Sequence, residues 1–239
     1  MNILKKIFTA FTGYWIHKVS SLPVGADIFI DIHTRIGYGS IQTMFDVGAN
    51  IGQTWEWFRR SEPAAKIYCF EPVNGPFIEL KETAGKDKNV VFENIAFGEA
   101  VGEKIIRLYG HNSSLNSLND AVMNQDFDSV EEKIKIDTLD TYCLRHGIEK
   151  IDFLKIDTEG YEMNVLKGAE KLLNEKRVSF IYCEIGFLKQ NKRNTYFADL
   201  TEWLAERDYH FNGLYQLVSN GFSTEFGNAL FVHKSVFKS

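Results

Sequence analysis

Cysteine, basic excess and long apolar runs are all scarce in this sequence, and each shortage removes a class of function. The 239 residues include three cysteines, Cys69, Cys143 and Cys183, far apart and without a C-x-x-C pair. That spacing offers no zinc site. Cys69 and Cys183 fall inside apolar strand-like runs, which points to buried, reduced thiols in a reducing compartment and to a cytoplasmic location. Acids outnumber bases, 32 against 27, for a net charge of −5. With no basic surplus to neutralise phosphates, general nucleic-acid binding is disfavoured. No stretch approaches the roughly 20 apolar residues that span a bilayer. Hydrophobic content of 44% and charge of 25% are ordinary for a globular chain. The length suits one large α/β domain or a domain with a small appendage.

Two phosphate-binding signatures are missing as well. The turn in question reads Asp46-Val47-Gly48-Ala49-Asn50-Ile51-Gly52-Gln53-Thr54, after the apolar run Thr43-Met44-Phe45. A P-loop requires a lysine directly after its last glycine, where Gln53 stands. The dinucleotide fingerprint requires G-x-G-x-x-G, whereas the spacing here is Gly48-x-x-x-Gly52. An NAD-dependent oxidoreductase therefore stays an alternative without its glycine pattern.

What is present is a buried strand, a glycine turn and a helix start, followed by Glu71 at the end of the next predicted strand. Glycines let the backbone pass close to a ligand, and helix-opening amides point into the crevice. A carboxylate one strand over can accept hydrogen bonds from ribose hydroxyls. Asp46, just before the turn, would repel a pyrophosphate and attract a ligand bearing an amino group and a sulfonium. S-adenosylmethionine carries both, together with a ribose. Residues 46, 48–50, 52–54, 71 and 72 (Asp46, Gly48, Ala49, Asn50, Gly52, Gln53, Thr54, Glu71 and Pro72) are the cofactor-binding candidates on this reading.

Linked motifs sharpen it. Asp46-Val47-Gly48-Ala49-Asn50-Ile51-Gly52, Phe70-Glu71-Pro72, Leu154-Lys155-Ile156-Asp157-Thr158-Glu159-Gly160-Tyr161-Glu162 and Val165-Leu166-Lys167-Gly168-Ala169 resemble, in order and separation, the FkbM family of S-adenosylmethionine-dependent methyltransferases. The resemblance covers roughly residues 43 to 232. It implies O-methylation, commonly of sugars, polysaccharide ends or polyketide-like hydroxyls, with S-adenosylhomocysteine as product. It also implies adenine contact around Asn94 and Ala96, and a serine-containing segment that places Ser113 and Ser114 near cofactor or acceptor. Two other acceptor classes lack their motifs: no [ND]-P-P-[YF] run and no Pro-Cys nucleophile is present.

Strand-like runs are expected at 43–47, 66–70, 90–94, 104–109, 152–156, 179–184, 210–215 and 229–233, and helices at 53–60, 77–83, 138–146, 163–173 and 195–207. Such β-α-β alternation predicts a mostly parallel sheet with helices on both faces. The last two strands follow each other without a helix and form an antiparallel pair. That ending resembles the Rossmann-like class I methyltransferase sheet, seven-stranded with an antiparallel final strand. The domain is expected over 41–239, behind a helical lead-in at 1–40. Within residues 1–18, Leu4, Ile7, Phe8, Phe11 and Trp15 recur at helical spacing beside Lys5 and Lys6. The preferred reading is a helix packed on the domain or on a second subunit of a homodimer. A helix lying on a membrane surface is the alternative. The apolar stretch is too short and too interrupted for a signal peptide.

In open α/β sheets the ligand site lies at the carboxyl ends of the strands. The residues expected there are Asp46, Glu71, Asn94, Asp157 and Glu184. A hydroxyl acceptor must lose a proton as it takes a methyl group, so a base is needed. Asp157, Glu159, Glu184 and His111 are the catalytic candidates, with Asp157 also placed for the cofactor. Glu159 or Asp157 could instead cap the following helix. The acids could also hold a divalent cation through hard oxygen ligands, but the metal-free reading is preferred. Residues 110–130 read as a loop over the cofactor. A non-catalytic S-adenosylmethionine-binding module is the other alternative, since binding motifs say nothing about turnover.

Overall fold

Apolar five- and six-residue runs followed by glycine turns build the centre of a seven-stranded sheet. The computed structural model describes residues 8, 10–14, 18, 22–108, 130–191 and 193–237. In chain order the strands are β1 (Thr43–Val47), β2 (Lys66–Phe70), β3 (Val90–Glu93), β4 (Ala96–Phe97), β5 (Gly102–Leu108), β6 (Val130–Asp137), β7 (Ile151–Ile156), β8 (Val178–Gly186), β9 (Tyr209–Ser219) and β10 (Thr224–His233). The main sheet has the order β3-β2-β1-β7-β8-β10-β9. β3, β2, β1, β7 and β8 pair parallel, and β10 runs antiparallel to both β8 and β9. Strand order reverses between β1 and β7, which is where such folds open a ligand crevice.

Helices α1 (Gln53–Ser61), α2 (Asn74–Ala84), α3 (Leu139–His146), α4 (Glu162–Lys167), α5 (Glu170–Asn174) and α6 (Phe197–Ala205) cover the sheet. Strand alternation sends Phe45, Val47, Leu154 and Ile156 into one apolar cluster and Met44, Phe153, Phe180 and Leu230 into the other, across the sheet. All three cysteines are free and buried, and burial pushes the Cys143 thiol up to about 12.

The structure departs from the sequence reading in two places. The strand expected at 104–109 belongs to a second, three-stranded sheet of order β4-β6-β5. Its partner β6 went unread because charges interrupt it, although Ile134 faces inward. The single helix expected at 163–173 is broken at Gly168. A Cβ there would lie 2.0 Å from the Gly98 carbonyl oxygen, so only glycine fits at the break. The Asp140 carboxylate then accepts the Lys171 and Leu172 amides at 2.9 Å each, capping α5. Ahead of residue 40, Ile28, Phe29 and Ile32 are buried in the same cluster as Met44, so the lead-in and the sheet share a core. The Asp31 carboxylate ties that segment to Tyr215 at 2.9 Å. Phe11 is 90% exposed and Tyr14 73% exposed, while Leu4, Ile7 and Trp15 lie outside the described residues. Among the described residues no helix is long and apolar enough to cross a membrane.

Candidate active site

The strand register aligns Val47 with Phe70 and Ile156, and Ile156 with Cys183. The residues one step beyond, Gly48, Glu71, Asp157 and Glu184, therefore share one rim at the carboxyl ends of four adjacent parallel strands. Against this rim lies a cavity of ≈ 310 Å³, at the lower end of the range of about 300–1,000 Å³ common for small-molecule sites. Gly48, Ala49, Asn50, Gln53, Thr54, Glu71, Pro72, Ala96, Asp157 and Glu159 line it. Asp46, Gly52, Asn94 and Glu184 stand behind the lining. His111, Ser113 and Ser114, with the expected loop around them, lie outside the described residues.

The glycine turn is shaped by a close approach of two chains. Gly48 has φ +82°, and a Cβ there would sit 1.9 Å from the Asp157 carbonyl oxygen. Its amide and that of Ala49 both donate to the Phe70 carbonyl at 3.0 Å. Gly52, with φ +96°, begins α1 and packs against Leu80. Asn50 takes φ +49°, and its amide donates to Glu71 Oε2 at 3.0 Å. Glu71 Oε1 accepts the Val73 amide at 2.9 Å. Burial pushes the Glu71 carboxyl up to about 7, against these two hydrogen bonds. Asn94 fixes the same corner from behind, donating to the Glu71 and Pro72 carbonyls at 2.9 Å each.

Asp46 lies opposite Lys155 in the parallel register, so the two side chains leave the sheet side by side. Lys155 Nζ is 3.0 Å from Asp46 Oδ1 and 3.3 Å from Asp157 Oδ2. Burial would lower the Lys155 ammonium, but the charges of Asp46 and Asp157 hold it above its ordinary value. Asp46 Oδ2 is buried with no hydrogen-bond partner among the described residues.

Beyond β7, Glu159 takes φ +53° and faces the cavity. Burial pushes its carboxyl up to about 7, and Arg193, 3.3 Å away, opposes that rise. Glu162 is wholly buried. Its Oε1 accepts from the Thr158 amide, the Thr158 hydroxyl and the Gly160 amide at 2.9, 3.1 and 3.0 Å. Glu184 is held by the Asn194 amide group at 2.8 Å, and burial together with Asp157, Glu162 and Glu159 raises its carboxyl to about 9. Among the described residues no group of three His, Cys, Asp or Glu side chains is arranged to hold a metal ion.

Lys155, Glu162 and Arg193 were not singled out from the sequence. Lys155 had a usable signal, since a lysine between Leu154 and Ile156 in a central strand needs a buried partner. Arg193 had none, because its partner lies 34 residues away along the chain, and the Thr195 half of the Glu162 contacts lies 33 away.

The donor set fits S-adenosylmethionine. An apolar wall of Ile95, Phe97 and Ile106 suits a purine, Glu71 suits ribose hydroxyls, and Asp157 suits a cationic methionine end. The family description "Methyltransferase FkbM domain" matches residues 46–211. The chain belongs to the FkbM methyltransferase family. Every lining residue named above falls inside the matched FkbM span. The 2-O-methyltransferase NoeI of Sinorhizobium fredii is 26% identical over 152 residues, covering 59% of this chain and 62% of that protein, less than two thirds of its length. Methyltransferase sdnD of Sordaria araneosa is 27% identical over 191 residues, covering 66% and 72%. Among solved structures, an rRNA methylase from Streptococcus thermophilus superposes with a TM-score of 0.46 at 12% identity, covering 84% of this chain and 95% of that one. The strand order of the main sheet, with β10 reversed between β8 and β9, is the Rossmann-like class I methyltransferase arrangement.

Proposed function

We propose that the chain is an S-adenosylmethionine-dependent O-methyltransferase acting on a hydroxyl of a sugar, glycan or related small molecule. The observation that carries this reading is a single cavity in which an apolar wall faces Glu71, Asp157 and Glu159 at the topological switch point. The likeness to NoeI, a 2-O-methyltransferase, supports oxygen as the acceptor atom.

When bound, the cofactor supplies an activated methyl group, whose carbon–sulfur bond pair returns to sulfur as the acceptor oxygen bonds the carbon. The chain's part is to bind, orient and take a proton. Glu71, fixed by the Asn50 and Val73 amides, accepts ribose hydroxyls. Asp157, set against Lys155, faces the cationic end. Alignment of acceptor and donor is worth as much as about 7–11 kcal/mol of a bimolecular barrier. Glu159 is the group placed to take the acceptor's proton, because it lines the cavity and its carboxyl sits near the working pH. Glu184 stands behind that lining, its carboxyl raised further still by burial and by the charges of Asp157, Glu162 and Glu159.

Calorimetric titration with S-adenosylhomocysteine, with NAD as control, tests the cofactor assignment. Micromolar binding of the former alone is the expected outcome. Failure of the folded protein to bind it would overturn the reading.

A further inference from the structure

The connection from β8 to α6 leaves the sheet at Gly186 and returns at Tyr196, where the two residues form a parallel bridge. The Gly186 amide donates to the Thr195 carbonyl at 2.9 Å. A Cβ on Gly186 would lie 2.9 Å from Asn194 Cβ, so the loop is shut tightly at its base. Inside that base, three consecutive residues each meet a different acid. Arg193 Nη2 is 3.3 Å from Glu159 Oε2. Asn194 Nδ2 donates to Glu184 Oε2 at 2.8 Å. Thr195 donates its hydroxyl at 2.6 Å and its amide at 3.3 Å to Glu162 Oε2. Of these three donors, Arg193 alone is charged, and the acid it meets is the one that lines the cavity.

Both partners are presented rigidly. The Arg193 amide donates to Asn191 Oδ1 at 3.0 Å, and Asn191 Nδ2 donates to Asn194 Oδ1 at 3.2 Å. Glu159 is held at φ +53°, a conformation L-residues rarely adopt, and Gly160 follows at +91°. Glu162 keeps that turn in place by accepting the Thr158 and Gly160 amides on either side.

We propose that Arg193 is a positioning residue of the transfer, holding the Glu159 carboxylate aimed at the cavity and ionised so that it can take the acceptor's proton. This inference rests on the methyltransferase reading of the cavity. The charges around Glu159 come from several elements. Burial raises its carboxyl first; Arg193 from the β8–α6 loop lowers it, while Asp157 beyond β7 and Glu162 at the start of α4 raise it. The same acids, Asp157, Glu162 and Glu159, raise the carboxyl of Glu184 in β8. Once Arg193 loses its charge, burial and these acids all favour the protonated form, which cannot accept a proton.

The test is a carbon-13 carboxyl titration of the whole labelled protein by NMR, with Glu159→Gln identifying the resonance. Arg193→Gln should move the Glu159 midpoint up by about one unit, the low end expected for losing a half-exposed opposite charge. Arg193→Lys should restore most of it, which a purely structural role would not require. An unmoved midpoint in Arg193→Gln, or no restoration by lysine, overturns the inference. Titration of the same samples with S-adenosylhomocysteine separates the two failures. If wild type does not bind it, the cofactor reading falls. If wild type and Arg193→Gln bind it alike while the midpoint stays put, the role of Arg193 alone falls.

Discussion

Glu71 is pulled in two directions. Burial favours its neutral form, while the Asn50 and Val73 amides favour the carboxylate, and the balance leaves the group near 7. Ribose hydroxyls donate hydrogen bonds, so the ionised form is the better receptor. Affinity for S-adenosylhomocysteine should therefore rise from pH 6 to pH 8, by up to about tenfold, since binding that requires a deprotonated group tightens tenfold per unit below its pKa. Glu71→Gln should flatten the rise and bind more weakly at pH 8. Calorimetry across that range checks both. A wild-type profile that is flat and matched by the variant would place the ribose elsewhere.

Among elements, Glu162 joins two that the chain keeps far apart. One carboxylate oxygen organises the turn at 158–160 and the other holds Thr195 of the β8–α6 loop. Glu162→Ala leaves three amides without their acceptor. These donors are only partly buried, so the low end of about 1–3 kcal/mol per unpaired donor applies and a loss of up to about 3 kcal/mol is expected, less what is regained by no longer burying a carboxyl. Hydrogen exchange should quicken most at Thr158, Gly160 and Thr195 and stay unchanged in β2 and β3. Uniform acceleration across the sheet would mean that Glu162 supports the whole fold rather than these two loops. The same elements show what was legible in the sequence. β1, its glycine turn and the Glu71 strand end could be read because apolar runs and glycine carry local signals. The break at Gly168 and the Arg193, Asn194 and Thr195 contacts could not, because each depends on a partner brought near by folding. β6 was hidden by its own charges, since an edge sheet with one wet face needs few apolar residues.

For the molecule as a whole, the register that forms the rim also crowds carboxyls into a poorly hydrated place. Glu71 and Glu159 sit near 7 and Glu184 is raised further, while in the unfolded chain all three ionise near 4.5. Between those limits the folded state binds more protons than the unfolded one, so stability falls as pH rises. The contribution of these groups is fully present below about pH 4.5, the ordinary glutamate range, and is lost progressively through 7 and beyond. The ion pairs of Asp152 and Asp87, whose carboxyls are lowered, act in the opposite sense and are lost only at more acid pH. Denaturant midpoints between pH 5.5 and 8.5 should therefore decline for wild type. Glu184→Gln should decline less and be the more stable protein at pH 8.5, because its amide keeps an acceptor for Asn194 and carries no charge beside Asp157, Glu159 and Glu162. Parallel slopes for the two proteins would mean that Glu184 ionises as freely in the fold as in the open chain, and that the rim is wetter than its packing indicates.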